Sequence, residues 1–174
     1  MNMNKLTTKL QEALGEAQSL AAGQSHAAIE PVHLLLSLLE QQDGSARPLL
    51  EKTGARANDV ITALRLLLEK QPTIGQFDGN VQLSPDLLKL LNRADREAQQ
   101  RGDAYLSSEM VLLAACDDGG DLGRLLKNAG IRKQTLAKAI DEVRGGDKVQ
   151  EQSDEGKQQA LKKYTVDLTE RAAS

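Results

Sequence analysis

The sequence predicts an all-α fold made of two four-helix repeats related by a pseudo-twofold axis, followed by a flexible linker or short helix. Three observations lead to this prediction. Apolar residues make up 40% of the 174 residues but aromatic residues only 2%, so the core must be aliphatic, and Leu and Ala favour helices over strands. Apolar side chains recur at the three- and four-residue intervals of a helix with one buried face. This pattern occurs twice along the chain.

The duplication appears when the chain is aligned with itself. Residues 29–38 align with residues 106–115 at an offset of 77, which falls to 76 from about residue 48 onwards. Few residues are identical, but apolar and glycine positions keep step, and the repeating unit is longer than a solenoid repeat. We therefore expect a first repeat, an inter-repeat loop and a second repeat at residues 1–72, 73–82 and 83–146.

Helix one has a clear buried face and two candidate starts. Thr8 and Gln11 have the form of a capping box, although Thr7 could cap the helix instead. The apolar face comprises Leu10, Ala13, Leu14, Ala17 and Ala21.

The other helices of the first repeat have recognisable starts and stops. Helix two is predicted to begin near Pro31, since proline is favoured in the first turn. Helix three is short and ends before Gly54, a residue that tolerates the left-handed conformation of a helix stop. Asn58 can cap helix four, which is expected to run to about Lys70.

The second repeat shows similar signals. Helix five opens at Ser84 with a proline directly after it, a cap followed by a favoured first residue. Helix six is predicted to start near Ser107, and helix seven to run from about Asp121 to a stop at Gly130. Helix eight extends from about residue 133 to 144, where two glycines end it.

Two segments are predicted to lack regular structure. Residues 71–80 contain proline and two glycines and indicate a loop, whose Phe77 we expect to pack back onto the core. Residues 147–159 are polar, which indicates a solvated linker. Residues 160–172 form a weakly amphipathic stretch whose apolar side chains need a partner.

Composition argues against several functional classes. The net charge is −3 without a long basic stripe, so no nucleic-acid partner is expected. No apolar run approaches the roughly 18 residues of a membrane span, and the start lacks the apolar stretch of a signal peptide. Cys116, the single cysteine, lies in an apolar run and is predicted to be a buried, unreactive thiol. Together these features predict a cytoplasmic protein.

The sequence lacks the common catalytic and cofactor-binding motifs. Gly156 and Lys157 are followed by Gln158, which fails the phosphate-loop pattern. His26 and His33 form no metal-binding pattern, and His33 is predicted to be a packed, hydrogen-bonded side chain. No Gly-x-Ser-x-Gly turn is present. We therefore predict no catalytic residue, no cofactor and no metal site for this chain, and no enzymatic activity of its own.

The repeats and several short sequence motifs resemble the Clp N-terminal repeat domain, which precedes the ATPase modules of AAA+ unfoldases. Within that family they most resemble the ClpB-type disaggregases. The resemblance covers about residues 3–172, and the motifs that carry it are specific in their order and spacing. They are Leu6–Leu10, Ile29–Leu34, Arg101–Asp103, Ser107–Glu109 and Lys163–Thr169. The last motif, Lys163–Thr169, resembles the segment that joins this domain to the first ATPase ring.

The resemblance implies a function and partners. The domain would bind unfolded or aggregated polypeptides before ATP-driven threading by a hexameric ring that works with a DnaK-type chaperone. The ATP sites would lie in the full-length protein, and residues 147–174 would lead towards an absent first AAA+ domain. We expect the isolated domain to be monomeric and its binding to be weak and sequence-tolerant, strengthened by six tethered copies.

Four residues are predicted to belong to the substrate-binding surface, around the start of helix one and residues 102–110. The resemblance implies Thr7, Asp103 and Glu109, and Met110 is added as a flexible apolar member. Each polar residue also has a structural explanation. The alternative roles are a cap of helix one for Thr7, a bond that holds the turn after Gly102 for Asp103, and complementing the helix dipole for Glu109.

Two other functions remain open at this stage. A docking platform for a folded adaptor, as in Clp relatives linked to proteolysis, keeps the fold and changes the partner. A stand-alone structural or regulatory helical protein is a different class, disfavoured because the amphipathic stretch near the end looks interrupted. The polar second half of helix five, residues 92–97, predicts that any apolar groove along that face is narrow or displaced.

Overall fold

The computed structural model describes residues 3–153. A single 3-10 turn, Met3–Lys5, precedes eight α-helices and two short strands in this part of the chain. In chain order they are α1 (Thr8–Gly23), β1 (Ala28–Ile29), α2 (Pro31–Glu40), α3 (Ala46–Lys52), α4 (Ala57–Glu69), β2 (Gln82–Leu83), α5 (Pro85–Arg101), α6 (Ser108–Ala115), α7 (Asp121–Asn128) and α8 (Lys133–Arg144). The predicted helical fold is confirmed, and within residues 3–153 β structure is limited to these two strands and two isolated bridges, Leu6–Leu106 and His26–Thr73.

The first helix of each repeat begins with the same cap. Thr7 precedes α1 and its hydroxyl accepts a hydrogen bond from the Leu10 amide at 3.2 Å. Ser84 precedes α5 and accepts from the Leu87 amide at 3.0 Å. The alternative that Thr7 caps helix one is therefore confirmed, and the Thr8 capping box is wrong, because α1 starts at the residue after Thr7.

One other predicted cap is also wrong. Arg56, not Asn58, holds the cap position of α4, without a side-chain cap bond. Asn58 lies inside the first turn, where its amide oxygen accepts a hydrogen bond from Arg47 at 2.6 Å. The predicted stops are confirmed: Gly54 and Gly130 adopt positive φ just beyond α3 and α7, a conformation that glycine reaches without strain.

The two repeats exchange short backbone contacts. β1 pairs with β2 in parallel, and Leu6 forms a parallel bridge with Leu106. The Ser84 amide donates to the Ile29 carbonyl at 3.1 Å, and the Thr7 amide donates to the Leu106 carbonyl at 2.9 Å. Because position 7 aligns with 84 and position 29 with 106 in the duplication, the pseudo-twofold axis interchanges the two contacts.

The second helix of each repeat forms the centre of the core. Residues 32–39 of α2 and all eight residues of α6 are buried, as expected for helices covered on every side. Both belong to one continuous cluster of aliphatic side chains that extends across the two repeats. Phe77 in the inter-repeat loop is half-buried and lies outside that cluster.

His33 is buried and hydrogen-bonded as predicted, whereas Cys116 is only partly buried, not fully buried as predicted. Burial, with a further contribution from Asp117, raises the pKa of the Cys116 thiol to about 11, so the reactive thiolate is scarce at neutral pH. His33 is fully buried; its Nδ1 accepts from the Glu30 amide, and its Nε2 lies 2.8 Å from His26 Nδ1. Since Nδ1 is an acceptor, the neutral ring carries its proton on Nε2 and donates it to His26.

The polar segment after α8 differs from its prediction as a solvated linker. Val149 is completely buried, and the segment hydrogen-bonds to the start of α1 and to the α5–α6 turn. We call residues 148–152 the strap. The predicted amphipathic stretch at residues 160–172 lies outside the described residues.

Candidate functional site: a buried ion cluster beneath the strap

A buried arginine gathers the polar residues of the second repeat. Arg144, only 5% exposed, donates from Nε to Glu109 at 2.7 Å. Its Nη1 donates to both Asp103 oxygens at 2.9 and 3.0 Å, and its Nη2 donates to the Ser107 hydroxyl at 3.3 Å. We call Asp103, Ser107, Glu109 and Arg144 the Arg144 cluster. In this cluster one guanidinium is shared by two carboxylates through charge-assisted hydrogen bonds.

The local sequence places each member of the cluster. Gly102 ends α5 with φ of +80°, which turns the chain so that Asp103 follows the helix end. Ser107 is the cap residue of α6, and Glu109 lies in its first turn. Arg144 is the last residue of α8. Glu109 at the start of α6 and Arg144 at the end of α8 thus also complement the dipoles of the helices that carry them.

The cluster is electrostatically compensated. Burial disfavours the charged guanidinium, but the carboxylates of Glu109 and Asp103 outweigh that effect, and the pKa of Arg144 lies above its ordinary value. A buried charge of either sign is costly without a partner. The pairing therefore makes each of the three charged residues depend on the others.

The structure brings together the predicted polar site residues. Asp103 and Glu109 share Arg144, and Thr7 is connected to the same region through the Leu106 carbonyl. Met110 points into the core instead. Thr7 and Met110 are 0% exposed and Glu109 is 1% exposed. Their placement favours a role in shaping the surface around the α1 start over direct contact through exposed side chains.

The strap closes this region on the outside. The Val149 amide donates to Asp103 Oδ1 at 3.0 Å, and the Ala104 amide donates to the Val149 carbonyl at 2.7 Å. The Thr8 amide donates to the Gln152 carbonyl at 2.9 Å. The strap thereby connects the α5–α6 turn with the start of α1, and Asp103 bonds both the strap and Arg144.

Sequence reasoning did not find Arg144 or Val149. A signal for Arg144 was nevertheless present in the duplication: Glu109 aligns with Val32 at an offset of 77, and Arg144 aligns with Leu68 at 76. A carboxylate at a position that is buried in the other repeat requires a cation nearby. Val149 carried no such signal, because one apolar residue in a polar run is ordinary.

A second surface feature lies between the repeats. A groove of about 700 Å³ runs between α4 and α7. Leu66 in its wall is 56% exposed, and charged side chains of both signs, among them Arg56, Asp59 and Arg124, line it as well.

Residues 3–153 contain neither a candidate metal site nor a candidate membrane-spanning helix. No group of three or more His, Cys, Asp or Glu side chains within residues 3–153 could hold a metal ion. In the same part of the chain, no helix has both the length and the apolar character needed to cross a membrane.

This helical duplication matches a known family. The sequence fits the family described as the Clp repeat (R) N-terminal domain over residues 5–129, and the chain belongs to that family. It is 52% identical to the chaperone protein ClpB of Pseudomonas putida over 172 residues, which are 99% of this chain and 20% of the relative. The chain thus spans about a fifth of the length of the curated relatives it matches.

Solved structures share the fold. The Hsp104 N-terminal domain of Candida albicans superposes with a TM-score of 0.75 at 22% identity, covering 85% of this chain and 97% of that one. A ClpV N-domain in complex with a VipB peptide gives a TM-score of 0.66 at 22% identity, covering 82% of this chain and 89% of the other. The resemblance to Clp N-terminal domains and the predicted fold class are both confirmed.

Proposed function

We propose that this chain is the substrate-binding N-terminal domain of an ATP-dependent disaggregase chaperone, which engages unfolded or aggregated polypeptides before ATPase rings thread them. The observation that carries the proposal is the similarity to ClpB chaperones over nearly the whole chain. The ClpV N-domain that was solved with a VipB peptide supports peptide binding as a use of this fold.

The proposal includes the surroundings of the domain. Residues 147–174 lead towards a first AAA+ domain, ATP binds in the full-length hexamer, and a DnaK-type chaperone acts with regions outside this chain. The repeat boundaries at residues 72, 83 and 146 remain part of the proposal, as do the cytoplasmic location and the monomeric state of the isolated domain. Neither nucleic acid nor membrane is a partner.

Within the domain, the proposed binding surface surrounds the α1 start and the α5–α6 turn. Thr7, Asp103 and Glu109 hold the backbone of that surface through the α1 cap and the Arg144 cluster. Met110 supports it from the core side. Positioning by buried groups suits a receptor for varied clients, because specificity for particular client side chains is not needed.

A titration of the domain with one protein in its unfolded and folded forms tests this function. Reduced, carboxymethylated α-lactalbumin is the unfolded form, and the native protein is the control. The domain should bind the unfolded form and not the native one. Binding to neither form would contradict the proposed function.

A second candidate function is docking of a folded adaptor. The groove between α4 and α7, with Leu66 exposed in its wall, favours this alternative, because an interface between folded proteins places apolar side chains at its centre and charged ones at its rim. Adaptor docking predicts that only a folded partner perturbs residues of this groove.

A further inference from the structure

The strap is held at both ends by hydrogen bonds to its own backbone. On one side the Val149 carbonyl accepts from the Ala104 amide and the Val149 amide donates to the Asp103 carboxylate, and on the other the Gln152 carbonyl accepts from the Thr8 amide. The Gln152 side chain also donates to the Asn4 carbonyl at 2.9 Å. Bonds to the main chain give affinity that does not depend on the bound sequence, as in β-strand addition.

The side chains of the strap follow the same pattern. Val149 is 0% exposed, whereas its neighbours Lys148 and Gln150 are exposed. Val149 does not belong to the continuous core cluster. Its side chain is therefore buried between the strap and the rest of the domain, apart from the main core. One buried aliphatic side chain with exposed neighbours on either side is how an extended peptide occupies a shallow site.

The strap follows a turn that can release it. Gly145 and Gly146 both adopt positive φ between α8 and the strap, which leaves few side chains to hold the connection. The Arg144 cluster stays complete without the strap, because Arg144 still bonds both carboxylates. We call the surface that the strap covers, between the α5–α6 turn and the start of α1, the strap groove. The Arg144 ion pairs and the Thr7 cap that hold its walls do not involve the strap.

We propose that this groove is a binding site for an extended segment of non-native polypeptide, with an aliphatic or β-branched side chain placed where Val149 lies, and that the strap is its intramolecular competitor. The inference rests on the proposed function and names the site. It also accounts for the burial of Thr7, Asp103 and Glu109: the strap and the cluster cover them while the groove is filled by the chain itself.

Release of the strap should increase affinity for clients. A tethered competitor acts at a high effective concentration. The apparent affinity for clients is therefore the intrinsic affinity multiplied by the fraction of molecules in which the groove is free. In the 174-residue chain, Val149→Asp places a charge where the strap is buried and should free the groove. Val149→Gly removes the side chain without adding charge, and serves if the first variant fails to fold.

The matched control is Gln100→Asp, which adds the same charge at an exposed position of α5. Two probes are titrated by fluorescence anisotropy: reduced, carboxymethylated α-lactalbumin and a labelled synthetic peptide of residues 147–153. Circular dichroism checks that each variant is folded. Both Val149 variants should bind the unfolded protein at least about 10-fold more tightly than the parent chain and Gln100→Asp. The peptide should bind the Val149 variants and compete with the unfolded protein.

The outcomes separate the two proposals. Equal affinity of all variants for the unfolded protein, with no binding of the peptide, overturns the strap site and leaves the proposed function intact. Binding of the peptide alone to the Val149 variants supports the groove as a peptide site and contradicts the proposed function. Binding of neither probe to any variant overturns both.

Discussion

At the scale of single residues, the same place in the two repeats holds an apolar pair in one and an ion pair in the other. Val32 and Leu68 are buried in the first repeat, and Glu109 and Arg144 lie at the aligned positions of the second, 2.7 Å apart. A buried ion pair is rarely worth more than the apolar pair it replaces. Its value here is that Arg144 also holds Asp103, and thereby the turn that carries the strap.

Copying the first repeat into the second tests this interpretation. Arg144→Leu leaves two buried carboxylates without a cation and should lower the free energy of unfolding by about 3–5 kcal/mol. The double variant Glu109→Val with Arg144→Leu should lose less, because only Asp103 stays uncompensated. Urea unfolding of both variants measures the difference. A single substitution that costs no more than the double one would contradict the coupling.

His33 predicts a pH dependence of stability. Burial foremost, and the neighbouring His26 next, lower its pKa from 6.5 to about 4. Between pH 6.5 and 4, His33 is therefore protonated in the unfolded chain but neutral in the folded chain. Its contribution to the free energy of unfolding is fully present above pH 6.5 and declines as pH falls towards 4. This one group accounts for a loss on the order of 3 kcal/mol.

His33→Met is the matched variant, since Met110 occupies the aligned position of the second repeat. The stability difference between the parent chain and this variant should change between pH 6.5 and 4, because carboxylate titration is common to both. A difference that stays constant over this range would show that His33 is not buried in its neutral form.

At the scale of elements, the equivalent helix caps at Thr7 and Ser84 allow an effect on binding to be separated from an effect on stability. Thr7→Ala and Ser84→Ala each remove one cap bond and should each cost about 1 kcal/mol of stability. Thr7 lies beside the strap, whereas Ser84 lies at the equivalent contact across the pseudo-twofold axis. Only Thr7→Ala should weaken binding of an unfolded polypeptide. Equal effects of both variants on binding would assign them to general stability alone.

The elements also show what the sequence could predict. The start of α5 and the stops at Gly54, Gly130 and Gly145 follow from local signals, since a cap, a proline or a glycine acts on its own helix. β1 and β2 left no such signal, because two-residue strands are created by the docking of the repeats. The strap was missed for the same reason: its bonds join residues about 45 and 145 positions apart in sequence, and composition describes only local preference.

At the scale of the whole molecule, duplication produced one core with two unlike ends. The β1–β2 contact lies between the repeats at one end, and its counterpart at Leu6 and Leu106 carries the strap and the Arg144 cluster. A symmetric ancestor would have offered the same surface twice. The Leu6–Leu106 contact carries buried charges and a covering segment, and this end is where we place polypeptide binding.

The most direct test of that placement is an NMR titration of the 174-residue chain with reduced, carboxymethylated α-lactalbumin. The backbone amides are followed residue by residue, and native α-lactalbumin is the control. Our account predicts that the unfolded protein shifts amides of residues 4–8, 102–110 and 148–152, and that the native protein leaves them unchanged. Shifts confined to the groove between α4 and α7, or the same shifts with the native protein, would contradict it.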